Sequence, residues 1–168
     1  MAAFFYHVND KRRQQMLIRA ATAHDAESLW ELRHQAIVTG CRGHYSPAVL
    51  SRWTEDPMPV GFEDLVSAGF YVLELQHEIL ACGQLDQPNC KLEALFVQPK
   101  VMGKGYGRLM LQYLERQAKA CNIHHLSLES SLNAAPFYQH CGWQSLGHSR
   151  YHSPKGMALD CILMEKNL

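Results

Sequence analysis

The apolar positions of this chain change period several times, and each change marks an element. Leu17-Ile-Arg-Ala-Ala is a short apolar run that predicts a first strand. After Thr22 to Asp25, a helix start with Thr22 or His24-Asp25 near the cap, Ala26, Leu29, Trp30, Arg33, Ala36 and Ile37 recur at helical spacing until Gly40. Ser46-Pro47 opens a second short helix carrying Val49, Leu50 and Trp53, closed by Asp56-Pro-Met-Pro. Phe70 to Leu75, a His77-Glu78 turn and Ile79 to Leu85 predict a hairpin. Gln87-Pro88-Asn89 turns the chain into a strand from Lys91 to Val97, stopped by Pro99. The cleanest helix runs from Tyr106 to Ala120, with Met110, Tyr113, Leu114 and Ala118 on one face and most charges on the other. Strands at His125 to Leu128, Trp143 to Gly147 and Met157 to Met164, with a short helix from Asn133 to Cys141, complete the pattern. A long helix between the Lys91 and His125 strands predicts a parallel crossover, so the class is α/β or α+β with a mixed sheet.

Residues 1–15 are polar and aperiodic and read as an N-terminal extension, leaving 16–168 as a single domain. With 47% hydrophobic and 19% charged residues, the composition is globular rather than disordered. No apolar run approaches the ~20 residues of a membrane span, and the start lacks a basic stretch ahead of an apolar core. Sixteen Lys and Arg balance sixteen Asp and Glu, which argues against nucleic acid or an anionic membrane as partner. The balance hides a polarity. Residues 55–90 hold seven acids and no Lys or Arg, while 91–125 hold six Lys and Arg against two acids. The acidic run either solvates a face or steers a cationic ligand. Six cysteines without C-x-x-C spacing read as buried or half-buried free thiols in a reducing compartment, which points to the cytoplasm.

The chemistry concentrates in Leu92 to Met110, a strand, a glycine-rich turn and a helix start. Backbone N–H groups in a first helical turn lack internal partners and carry partial positive charge. Gly103, Gly105 and Gly107 clear side chains from them, and Lys104 and Arg108 add charge, so the segment reads as a pyrophosphate seat. It matches neither the G-x-G-x-x-G dinucleotide fingerprint nor the P-loop, and a ligand-free strand–helix connection is the competing reading.

A second informative stretch runs from Leu128 to Trp143. Together, the two resemble the GCN5-related N-acetyltransferase (GNAT) superfamily, as a bacterial-type stand-alone member. The family's phosphate loop, Gln/Arg-x-x-Gly-x-Gly/Ala, is similar to Met102-Gly-Lys-Gly-Tyr-Gly107, with Met102 departing from Gln or Arg. Its later Asn-x-x-x-x-Phe-Tyr-x-x-x-Gly-Phe resembles Asn133 to Trp143, with one residue fewer between Asn and Phe and with Trp in place of the last Phe, and Leu17 to Ala26 and Cys161 to Leu168 resemble its opening and its last strand. The resemblance implies a mostly antiparallel, mixed sheet of six to seven strands with helices on both faces, the acyl-CoA N-acyltransferase fold.

It also implies acetyl-CoA as cosubstrate, without a metal, and direct transfer of the acetyl group to the amine of a small molecule or peptide. Pantetheine would pair with backbone near Leu95, Phe96 and Val97, and pyrophosphate would sit on Gly103, Lys104, Gly105, Tyr106, Gly107 and Arg108. Met102 would retune coenzyme A binding by removing a side-chain contact while leaving its backbone N–H. Tyr138 is the matched proton donor to the departing thiolate; a core tyrosine with its hydroxyl at the surface is the competing reading. Asn133 either bonds the pantetheine arm or caps its helix. Glu93 is the candidate base and Glu129 a weaker one. His44 and Tyr45, in the connection between the first two helices, are candidate acceptor contacts. His124-His125 lacks partners at metal-ligand spacing. The resemblance makes a homodimer plausible, but no interface pattern is legible. The competing function is an acyl-CoA-binding regulatory module without turnover.

Overall fold

The computed structural model describes residues 4–5, 16–153 and 156–168. Of the expected extension, Phe4–Phe5 forms a two-residue strand β1; the rest lies outside the described residues. In chain order there follow β2 (Met16–Ala20), α1 (Ala26–Gly40), α2 (Pro47–Thr54), α3 (Phe62–Gly69), β3 (Phe70–Leu75), β4 (Glu78–Asp86) and β5 (Lys91–Val97). Then come α4 (Tyr106–Ala120), β6 (His125–Ser131), α5 (Ala135–His140), β7 (Gln144–His152) and β8 (Ala158–Asn167). The sheet order is β1-β2-β3-β4-β5-β6-β8-β7, and every neighbouring pair is antiparallel except β5 and β6.

Alternation along the strands sends successive side chains to opposite faces. Leu73 and Ala81 join Met110, Leu111 and Leu114 of α4 in the larger core. Their neighbours Val72 and Cys82 pack with Leu29 and Leu32 of α1 and with Phe62 and Val66 of α3. Helices therefore cover both faces. At Gly83 the sheet and α4 approach so closely that a Cβ would lie 2.6 Å from Leu114 Cδ1 and 3.2 Å from the Ala94 carbonyl.

Helix α3 is absent from the sequence expectation. Its stripe is only Phe62 and Val66, with Leu65 46% exposed, and it follows a proline-broken segment. Strand β7 runs five residues beyond Gly147. Its polar tail, His148 to His152, is an edge strand exposed along much of its length, so no apolar alternation announces it. Strand β6 extends to Ser131, past the apolar run.

The start of α1 is fixed by charge. The Asp25 carboxylate accepts from the Thr22 N–H at 2.8 Å, and from both terminal nitrogens of Arg19 at 2.8 and 2.9 Å. Arg19 holds the Asp25 carboxyl at about 2 against an opposing desolvation. A depressed carboxyl contributes stability above its unfolded value near 4 and loses it as pH falls toward 2. Wild type is expected to lose about 1 kcal/mol over that window through this group, allowing for screening at a partly exposed site. Asp25→Ala should lack that increment at pH 7, and urea midpoints measured against pH check it. Parallel curves for the two proteins would show that the contact is inert.

Candidate active site

Strands β5 and β6 part almost as soon as they meet. Among the described residues their register holds one pair, Lys91 opposite Ser127, supported by the Ser127 N–H on the Cys90 carbonyl at 3.1 Å. Beyond it the strands splay, and a cleft of about 630 Å³ passes between them from the α4–α5 face to the α1–α2 face.

A bulge accompanies the splay. In the β4–β5 ladder Gln84 faces Ala94 and Leu85 faces Leu92, which leaves Glu93 as the extra residue. Farther along, the Gln98 N–H bonds the Leu80 carbonyl at 2.9 Å. Alternation from that bond turns the backbone of Phe96 toward β4 and that of Leu95 and Val97 toward the cleft. Of the three residues expected to pair with a ligand, Leu95 and Val97 thus present main-chain groups. Phe96 lines the cleft but has its N–H and C=O committed to the sheet, which corrects its expected role as a backbone donor.

At the α4 end, Gly105 takes φ +92°, a left-handed conformation that favours glycine, and begins the helix. Gly107 allows close approach: a Cβ there would sit 3.2 Å from Val97 Cγ2 and 3.7 Å from the Phe137 ring. Among the described residues the N–H groups of Gly103, Gly105, Tyr106, Gly107 and Arg108 meet no acceptor. The Met102 and Lys104 N–H groups are occupied, by Pro99 and Val101 carbonyls at 3.3 Å. The expectation that Met102 keeps a free backbone donor is therefore corrected. Met102, Gly103, Gly105, Gly107 and Arg108 line the cleft; Lys104 and Tyr106 adjoin it without lining it.

Tyr138 lines the same wall. Its ring packs edge-on against Phe137 (5.0 Å) and Trp143 (5.9 Å), and the residue is 8% exposed. The hydroxyl has no hydrogen-bond partner among the described residues, yet no buried side-chain oxygen or nitrogen there is unsatisfied, so its oxygen keeps access to the cleft. Burial pushes the phenol well above its ordinary value, which keeps it protonated. Asn133 caps no helix. The N-cap of α5 is Ala134, and Asn133 Oδ1 instead accepts from the Cys41 thiol at 3.2 Å across the cleft. Burial raises that thiol to about 11, so it is not a thiolate.

Both candidate bases line the cleft and share one cation. Lys91 Nζ lies 3.0 Å from Glu93 and 2.9 Å from Glu129, at the point where the strands diverge. Burial pulls the Lys91 ammonium down, but the two carboxylates outweigh it and the net shift is upward. Tyr45 reaches the cleft from the α1–α2 connection, where its hydroxyl donates to the Asp160 carbonyl (2.7 Å) and accepts from the Leu132 N–H (3.0 Å). That hydroxyl ties the connection down. His44 is exposed and does not line the cleft, so it is not brought to the site. None of the seven acids in residues 55–90 lines it either. Glu74 and Glu78 among them pair with Arg19 and Lys100. Arg33 and Trp53 on the α1–α2 side were not expected. Both lie within ordinary amphipathic helix patterns, where a cleft-facing residue carries no distinct sequence signal.

The cysteines form no disulfide: Cys41, Cys82 and Cys161 are buried, Cys90 and Cys141 half-buried, and Cys121 is exposed, against expectation. Among the described residues no helix is long and apolar enough to cross a membrane.

Solved structures share this architecture. A GCN5-related N-acetyltransferase from Rhodopseudomonas palustris superposes with a TM-score of 0.82 at 23% identity, over 90% of this chain and 94% of that one. PaiA N-acetyltransferase from Thermoplasma acidophilum, solved with coenzyme A, gives 0.65 at 16% identity, over 91% and 99%. YncA from Salmonella typhimurium, solved with its cofactor acetyl-CoA, gives 0.59 at 21% identity, over 91% and 94%. No curated protein sequence matches the chain. At these identities the structures establish the fold. Family comes from sequence: a model of the acetyltransferase (GNAT) domain matches residues 59–157, from the approach to α3 through the glycine turn, the splayed strands and Tyr138. The chain belongs to the GNAT acetyltransferase family and is an acyltransferase.

Proposed function

We propose that the chain transfers an acetyl group from acetyl-CoA to the amine of a small molecule or peptide within the β5–β6 cleft. The observation that carries this reading is one of position. The unpartnered N–H groups of the α4 first turn, the free main-chain edge of β5 and the Tyr138 hydroxyl all border one passage. A pyrophosphate would meet the N–H groups of residues 103 and 105–108, with Arg108 adding charge. Pantetheine would run beside Leu95 and Val97, with Asn133 near the arm. The amine would enter from the α1–α2 side.

Attack of the amine on the thioester carbonyl forms a C–N bond and breaks the C–S bond. The nitrogen gives up a proton and the sulfur gains one. Glu93, beside Lys91, takes the nitrogen's proton directly or through water. A main-chain N–H of Val97 would meet the oxyanion. Tyr138 acts as general acid toward the departing thiolate. A phenol held above 10 is a weaker acid than a thiol of about 8.5. Its proton is therefore shared with sulfur as the C–S bond breaks, not handed over in a separate step.

Coenzyme A at ~100 times its dissociation constant should stabilise the protein by ~2.7 kcal/mol, read as a rise in Tm. An absent shift with both coenzyme A and acetyl-CoA would reject the cofactor assignment. Amine-dependent release of free thiol then separates turnover from mere acyl-CoA binding.

A further inference from the structure

The acceptor end of the cleft is walled by aromatic rings and contains one cation with donors to spare. Tyr45 and Trp53 stack edge-on at 5.5 Å, and Phe96 packs against the same cluster from β5. Arg33 of α1 lines this end. Two contacts hold its guanidinium from behind: Nη2 donates to the Trp53 carbonyl at 3.2 Å, and Cζ lies 4.6 Å from the centre of the Trp30 ring. A guanidinium carries five N–H groups. Among the described residues the remaining ones meet no acceptor.

The other charges of the cleft are committed. Lys91 is shared by Glu93 and Glu129, and the Asp160 carboxylate accepts from Arg150 at 3.1 Å. Arg108 stands at the opposite, α4 end. Burial lowers the pKa of Arg33, and the opposing influence of Tyr151 and Asp56 does not make up for it. A half-buried, pre-positioned guanidinium with open donors matches a planar anion better than a second cation.

We infer that the acceptor is a small amine bearing a carboxylate, such as a free amino acid or short peptide, and that Arg33 binds that carboxylate in the aromatic end of the cleft. This rests on the acetyltransferase reading of the cleft. It sets aside the alternative in which the acidic run steers a cationic acceptor: no acid of that run lines the cleft, and Asp56 alone among them acts on Arg33 electrostatically.

The test measures release of free coenzyme A with two matched sets of acceptors, the common L-amino acids and the same set as amides. The best free acid should exceed its amide at least ~10-fold in kcat/KM, and Arg33→Gln should raise KM for the acid about ten- to a hundredfold and erase the preference. Arg33→Lys should recover part of it. The coenzyme A-dependent rise in Tm should persist in both variants, which shows that they fold. Amides that serve as well as the acids, or a preference that survives Arg33→Gln, overturn the inference. So does release only with polyamines, or no release with any acceptor while coenzyme A still stabilises the protein. Failure of coenzyme A to stabilise the wild type would instead reject the cofactor reading.

Discussion

Tyr138→Phe is expected to lower kcat about a hundred- to a thousandfold, the usual scale for losing a positioned acid. The change removes one oxygen and leaves the ring against Phe137 and Trp143. That oxygen has no hydrogen-bond partner among the described residues, so stability should move by less than ~0.5 kcal/mol. The KM for acetyl-CoA should change little, because the proposed pyrophosphate seat on α4 and the β5 edge are untouched. Steady-state kinetics with thiol detection separate the two constants. Burial also keeps the phenol neutral across the physiological range, so the alkaline limb of the wild-type pH–rate profile should not come from this residue. A kcat within twofold of wild type would remove Tyr138 from the reaction. A fall in kcat matched by a rise in KM would mark it as a binding residue instead.

How far such residues could be found beforehand depended on what each one does for the backbone. The glycine turn was legible because a phosphate seat demands small residues, free N–H groups and a helix start in fixed order. Tyr138 was singled out through the resemblance of Asn133 to Trp143 to the family's later segment. The parallel β5–β6 crossover was legible from the long helix between two strands. What escaped had no such local signature. Arg33 sits on α1 at an ordinary helical position, and only the divergence of two distant strands exposes it to a cleft. Lys91 reads as a strand residue until Glu129, 38 positions away, is brought to its ammonium. Glu93 was singled out, but the bulge that frees it from the ladder is a property of the pair of strands, not of either one. The acidic run left two readings open, a solvated face or a steering field, because a block in sequence is not a patch in space. Glu63 and Asp64 are exposed on α3, Glu74 and Glu78 pair with Arg19 and Lys100, Asp86 accepts from Asn89 in a turn, and Glu55 and Asp56 follow α2.

Behind Tyr138, Lys166→Met should cost about 3 kcal/mol, near the lower end for breaking a largely buried ion pair. The Lys166 ammonium, on β8, donates to both Glu115 oxygens at 2.9 and 3.0 Å and to the Cys141 carbonyl at 2.7 Å. Glu115 Oε1 also accepts from Trp143 Nε1 at 3.0 Å. Side-chain exposures of 21% for Lys166 and 14% for Glu115 put the pair mostly out of water. Methionine fills the space of the stem but leaves a carboxylate without its counter-ion and a carbonyl without its donor. For a chain of this length the loss should lower Tm by about 6–12 °C. Glu115→Leu together with Lys166→Met should recover part of it, because the stranded charge goes too. A single variant within ~0.5 kcal/mol of wild type would show that solvent already screens the pair. The network joins α4, β8 and the residue just after α5, and Trp143 packs on the Tyr138 ring, so its loss should also blur the position of the phenol. Well below the new Tm, kcat should therefore fall while the coenzyme A-dependent stabilisation, which depends on the far end of α4, is retained.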